Sequence, residues 1–182
     1  MPSTPAVVPG QNVLGLMLFF DSNQISLDLT ATRFLGRLHM AGCIAVVSDV
    51  VDTEVADAPD DIYERLTDDA ARFRRAFGVM VAGHSRAGST VLGGEADLDL
   101  MDELRAVIRP GITDWTKVRR QHTRDVMHVH TAIRSGADGF VTDDQALLKK
   151  AEALRAYIRV WTPRKAAQIA MKRLRNYRIT SV

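Results

Sequence analysis

The chain has 182 residues, 46% hydrophobic and 25% charged, which fits one cored domain and excludes a chain disordered throughout. Its one cysteine, Cys43, excludes an intrachain disulfide framework and suits a reducing, cytoplasmic setting. The net charge of +2 hides two opposed blocks: Asp49–Asp69 is acidic but for Arg65, and Gln145–Val182 is basic but for Glu152, a polarity that suggests a surface for a polyanion.

Met1–Asn12 carries Pro2, Pro5 and Pro9 and reads as a loose tail, with residues 1–11 outside the folded unit. "VLGLMLFF" (Val13–Phe20) is the longest strongly apolar run. It falls well short of the roughly 20 residues a membrane-spanning helix needs. No basic segment precedes it, so it makes a poor signal peptide. A continuous apolar run that stops at Asp21 predicts a parallel strand buried on both faces. A helix follows over 24–42, stopped by Gly42, and then "CIAVVS" (43–48) as a second strand. After a polar segment containing "DTEV", Pro59 marks a break. Ile62, Leu66, Ala70, Phe73 and Phe77 then recur at helical spacing and predict one amphipathic helix from Asp60 to Phe77.

"GHSRAGSTVLGG" (83–94) is loop-like. Leu98, Met101, Leu104 and Ile108 mark a helix closed by Pro110-Gly111, and Trp115–Ser135 one helix or two, stopped by Gly136. Then come a strand "GFVT" (139–142), a helix "DQALLKKAEALRA", a strand "YIRVWT" (157–162) and a basic helix from Pro163 to about Tyr177. Alternating strands and helices predict an α/β fold, three layers deep, with a mainly parallel sheet of four or five strands.

In such sheets ligands bind beyond the carboxyl ends of the strands, and acids gather there. Asp21 ends the first strand, Glu54 follows the second, and Asp143 and Asp144 end the third; Asp125 joins them if its helix passes the sheet. Clustered carboxylates need a counter-charge, and a hard divalent cation bound through oxygen supplies one. His122, His128 and His130 lack a second set with zinc spacing and are expected to line a helix surface. Asp144 also suits the N-cap of the helix after it, Asp138 a turn between Gly136 and Gly139, and Trp115 and Trp161 the core. Asp49 and Asp52 are alternatives to Glu54.

At these residues the sequence resembles the PIN-domain nucleases. "LFFDSNQISL" is similar to their opening motif, "VVSDVVDTEV" to the second, "RDVMHVHTAIRSGADGFVTDD" to the third and fourth together, and "YIRVWTPRKAAQIA" to the closing strand and helix start. The likeness covers about Asn12 to Ala170, in the family's order. It implies a PIN-like α/β/α domain over 12–182 with a helical insertion around 57–114. It also implies an endoribonuclease dependent on Mg²⁺ or Mn²⁺, as in toxins of toxin–antitoxin pairs. Asp21, Glu54, Asp125 and Asp144 would be the catalytic, metal-holding acids, with Asn23, Thr142 and Asp143 in support. Family members often carry a further Asp where this chain has Ala146, and Asp143 is placed to compensate.

The basic end supplies Lys149, Lys150, Arg164, Lys165, Lys172, Arg173 and Arg175 as candidate RNA-binding side chains. Candidate partners are RNA, a protein antitoxin and a second copy of the chain, with no membrane among them. Two other readings compete. A haloacid-dehalogenase-like phosphatase also places an Asp after an apolar strand, but it needs a second Asp two residues on, where Asn23 stands. A PIN-like module with an impaired site would bind RNA or protein without cutting.

Overall fold

A computed structural model describes residues 14–25, 37–38, 42–79, 81 and 93–180. The expected N-terminal tail, most of the helix over 24–42 and most of the loop over 83–94 lie outside these residues. Five strands form one parallel sheet: β1 (Met17–Phe20), β2 (Ile44–Ser48), β3 (Arg74–Ala76), β4 (Gly139–Val141) and β5 (Val160–Trp161). Their spatial order is β3-β2-β1-β4-β5. Among the described residues the helices with both ends in view are α1 (Val50–Ala56), α2 (Asp60–Ala70), α3 (Glu95–Ile108), α4 (Arg120–Arg134), α5 (Gln145–Leu148), α6 (Ala151–Leu154) and α7 (Pro163–Thr180), with 3₁₀ turns at Ser22–Gln24 and Trp115–Lys117.

The apolar strands are buried on both faces because successive side chains alternate across the sheet. Leu18, Phe20, Ala45, Val47 and Val141 point to one side, where Val51, Val55, Ala70, Ala166, Ala170 and Leu174 of α1, α2 and α7 meet them. Phe19, Val46 and Phe140 point to the other, against Met101, Leu104, Val126, Val129, Leu147 and Leu154 of α3 to α6. The result is a three-layer α/β/α domain. Phe19 and Phe140 are register partners on β1 and β4, with ring centroids 6.0 Å apart.

The expected helix from Asp60 to Phe77 is corrected: it stops at Ala70. Phe73 turns into the core, 5.4 Å from the Phe20 ring, and Arg74–Ala76 pair with Val46–Ser48 as an edge strand. Phe77, on the apolar stripe that suggested a longer helix, is 59% exposed. Arg75 closes the helix end, donating Nη1–H to the Ala70 carbonyl and pairing with Asp52 at 2.9 Å. The polar segment after β2 is helix α1, and the helix expected after Thr142 divides into α5 and α6.

Gly136 ends α4 with φ 71°, a conformation glycine adopts without a Cβ clash. The Ala137 and Gly136 amides donate back to the Ala132 and Ile133 carbonyls, a Schellman arrangement that delivers the chain to β4. Asp138, expected in a turn, fastens β4 to β1: its Oδ2 accepts from Met17 N–H at 2.8 Å and its own N–H donates to Met17 O. Cys43 is buried, which pushes its thiol up to about 11.

Gly139 begins β4 directly against the Trp161 ring of β5, and a Cβ there would overlap that ring. Gly139→Ala is expected to destabilise the fold by about 1–3 kcal/mol through overpacking. A shift of the urea midpoint with an unchanged slope checks it.

Candidate active site

The strand order creates a crevice between β1 and β4. From β1 the chain winds outward through β2 and β3, and it later returns to the other side of β1 with β4 and β5. Loops leaving the carboxyl ends of β1 and β4 therefore part in opposite directions, the usual place for a ligand in an open parallel sheet. Asp21 follows β1 directly, and Thr142, Asp143 and Asp144 follow β4.

Asp21 is 5% exposed, and Thr142 has no exposed surface. The Thr142 hydroxyl donates to Asp21 Oδ2 at 2.6 Å, and the Ser22 N–H donates to Asp21 Oδ1 at 2.8 Å. The same hydroxyl oxygen accepts from the Asp144 N–H at 2.9 Å and from Asn23 Nδ2 at 3.3 Å. One donor and two acceptor positions are thus all used. Asp144 caps α5, accepting the Ala146 N–H on Oδ1 at 2.6 Å. The backbone, rather than the side chain, of residue 146 serves there. Asp143 is exposed and turned back toward β1, its Oδ2 accepting from Gln24 Nε2 at 3.0 Å.

The other two acids arrive on helices. Glu54 sits on α1, and its Oε2 lies 3.3 Å from His128 Nε2 on α4. Asp125, one turn before His128, accepts from Arg109 Nη2 at 2.8 Å. The alternatives to Glu54 are occupied elsewhere: Asp52 pairs with Arg75, and Asp49 accepts the Gly78 N–H at 2.9 Å. Asn23, where a phosphatase would carry its acid, holds Thr142 and accepts from Gln24 Nε2 at 2.8 Å.

The structure corrects the histidines. His128 is 1% exposed and His130 fully buried, so neither lines a helix surface. His130 packs toward Asp97 of α3, and burial pushes its pKa down. His128 lies among the acids. Burial alone would lower its pKa, but the hydrogen bond to Glu54 and the charges of Glu54, Asp21 and Asp125 raise it overall. Burial would raise Glu54, but the His128 hydrogen bond and charge, with Ser22 and Arg124, hold it below the usual range. Burial raises Asp21, with His128 and Thr142 opposing and Asp125 adding to the rise. Asp125 is raised by burial too, against the pull of Arg109 and His128 and with the push of Asp144.

The four expected acids are linked electrostatically, Asp21, Glu54 and Asp125 through His128 and Asp144 through Asp125, with Arg109 as a cation that the sequence pattern did not single out. Nothing local marks Arg109, which ends α3 and reaches Asp125 across the Pro110-Gly111 bend. The donor set is all carboxylate oxygen, which suits Mg²⁺ or Mn²⁺. As the side chains stand, no three His, Cys, Asp or Glu among the described residues lie close enough together to hold a metal ion.

The basic candidates divide. Lys149, Arg164 and Lys165 are exposed near the carboxyl ends of β4 and β5, with Lys150 half-buried beside them. Lys172 and Arg175 lie exposed farther along α7. Arg173 is corrected: it donates to the Gly15 carbonyl at 2.8 Å and lies 3.5 Å from Asp138, at the amino end of β1. It braces the sheet edge opposite the acids. No helix among the described residues is long and apolar enough to cross a membrane. No family model and no curated protein matches the sequence.

A raised His128 pKa makes a pH prediction. The folded value lies above the unfolded one, so the imidazolium's stabilisation is fully present below about 6.5 and is lost as pH rises through the folded pKa. In EDTA, wild-type stability should fall as pH rises above about 6.5, and His128→Gln should lack that part of the slope. Urea midpoints across pH check it.

Proposed function

We propose that this chain is a metal-dependent endoribonuclease, in keeping with its resemblance to PIN-domain nucleases. The observation that supports this best is the buried Asp21–Thr142 pair at the crevice, with Asp144 on the same hydroxyl and Glu54 and Asp125 facing it from two helices. Asp21 is raised by burial, and a cation would relieve that charge. Mg²⁺ or Mn²⁺, held by Asp21, Glu54, Asp125 and Asp144, would make a water easier to deprotonate for attack on a phosphodiester and would supply charge to stabilise the reacting phosphoryl group.

The chain's own residues do the rest. Thr142 and the Ser22 amide fix the Asp21 carboxylate, and Asn23 and the Asp144 amide fix Thr142. Arg109 draws Asp125 and His128 draws Glu54, so the acids stay near one another despite their repulsion. Lys149, Lys150, Arg164 and Lys165 bring positive charge to the rim, where an RNA backbone would lie. A protein antitoxin and a cytoplasmic location belong to the same proposal.

The test is cleavage of mixed single-stranded RNA with Mg²⁺ or Mn²⁺ and an EDTA control. Asp21→Asn keeps the side chain's shape and removes its charge, so the rate is expected to fall about a hundredfold or more, the loss of several kcal/mol of charge stabilisation. Unchanged circular dichroism shows that folding persists. Wild-type cutting by the purified variant would refute the assignment. The absence of three close metal-ligating side chains among the described residues favours one other reading, a PIN-like binding module that does not cut. It predicts RNA binding with no metal-stimulated cleavage by the wild type.

Charge reversal probes the rim. Lys149→Glu with Lys150→Glu should weaken RNA binding alike for all sequences and flatten its salt dependence, because phosphate contacts position without specifying. Filter binding between low and moderate salt checks it, and full affinity in the variant would exclude these lysines from the RNA path.

A further inference from the structure

Beside the acids, between α1, α2 and the start of α4, runs a second groove of about 380 Å³. Its apolar lining comes from Ile25, Val51, Val55 and Leu66, and its polar rim from Gln121 and Arg124. Glu54, Ser22 and Asn23 form the wall it shares with the acid cluster. Arg124 pairs through Nη2 with Asp57, while its Nε is buried with no hydrogen-bond partner among the described residues. A buried donor without an acceptor is costly, and a bound acceptor would satisfy it.

We infer that this groove seats one nucleobase of single-stranded RNA, from a nucleotide flanking the phosphodiester at the acids. The flanking position rests on the nuclease reading; the base rests on the groove's own chemistry. An aliphatic side chain would cover the apolar lining and leave Arg124 Nε unanswered. A sugar or phosphate would answer Arg124 and leave Leu66, the half-buried member of the apolar lining, uncovered. A base does both, presenting flat apolar faces and an edge of acceptors and donors. Gln121 and Asn23 each offer an amide that can donate or accept along that edge. The volume lies near the lower end of small-molecule sites, room for one base rather than a stack. Continuity with Glu54 places the base within one nucleotide of the acids.

Calorimetric titration of the wild-type protein in EDTA with 5′-GMP and with ribose 5-phosphate tests this. GMP is expected to bind about tenfold or more tightly, since stacking on an apolar surface is the difference between them. Leu66→Trp fills the groove and should abolish that difference. Gln121→Ala, at an exposed position that does not support the core, should reduce GMP affinity several-fold and leave ribose 5-phosphate unchanged. Equal affinities for the two probes in the wild type would overturn the inference. So would undiminished GMP binding by both variants, which would locate the nucleotide elsewhere. Binding in EDTA needs no hydrolysis, so its failure leaves the nuclease reading standing, and failure of the Asp21→Asn test leaves the groove standing.

Discussion

One buried hydrogen bond organises the crevice. The Thr142 hydroxyl, at the end of β4, donates to the Asp21 carboxylate, at the end of β1, at 2.6 Å. The two residues are 121 positions apart in sequence and meet because β1 and β4 are neighbours in the sheet. The residues that follow β1 and β4 gather on that pair. Asn23 and the Asp144 amide close on the same hydroxyl, and Asp144 then starts α5. A hydroxyl with three partners in a water-poor site has little freedom to turn, so the carboxylate it holds is fixed in direction as well as place.

The second constraint is charge. Carboxylates near one another in low dielectric repel strongly, and each loses hydration. The fold answers from the layer of α3 and α4, with Arg109 beside Asp125 and His128, whose pKa the neighbouring acids raise, beside Glu54. The relief is uneven. Glu54 is held below its usual range, while Asp21 and Asp125 remain raised. Other acids of the block from Asp49 to Asp69 are used structurally, Asp52 by Arg75 and Asp57 by Arg124. The block is therefore partly a set of braces and partly the wall of the crevice.

The opposite block is also mixed. Lys149, Arg164 and Lys165 are exposed at the carboxyl edge, where a polyanion could reach both them and the acids. Arg173, on the same helix as Arg164, is spent on the Gly15 carbonyl at the other edge. α7 runs the length of the sheet from β5, so its basic residues cannot share one task. Counting charge along the sequence could not separate them.

What the sequence determined by itself is what depends on local pattern. Continuous apolar runs fixed β1, β2 and β4, since only a strand covered on both faces buries every residue in turn. The polar residues that stop those runs fixed Asp21 and Thr142–Asp144 at strand ends, and Pro163 fixed the start of α7. Tertiary structure decided what depends on partners distant in the chain. β3 is three residues with two arginines, and it is a strand only because β2 offers it an edge to pair with. The helical stripe through Phe77 lost to that pairing and to the burial of Phe73 against Phe20. His128 has the same local sequence whether it faces water or acids. Only the packing of α4 against α1 and the sheet sets it beside Glu54, 74 residues away, because burial and Coulomb energy belong to the folded neighbourhood and not to the residue.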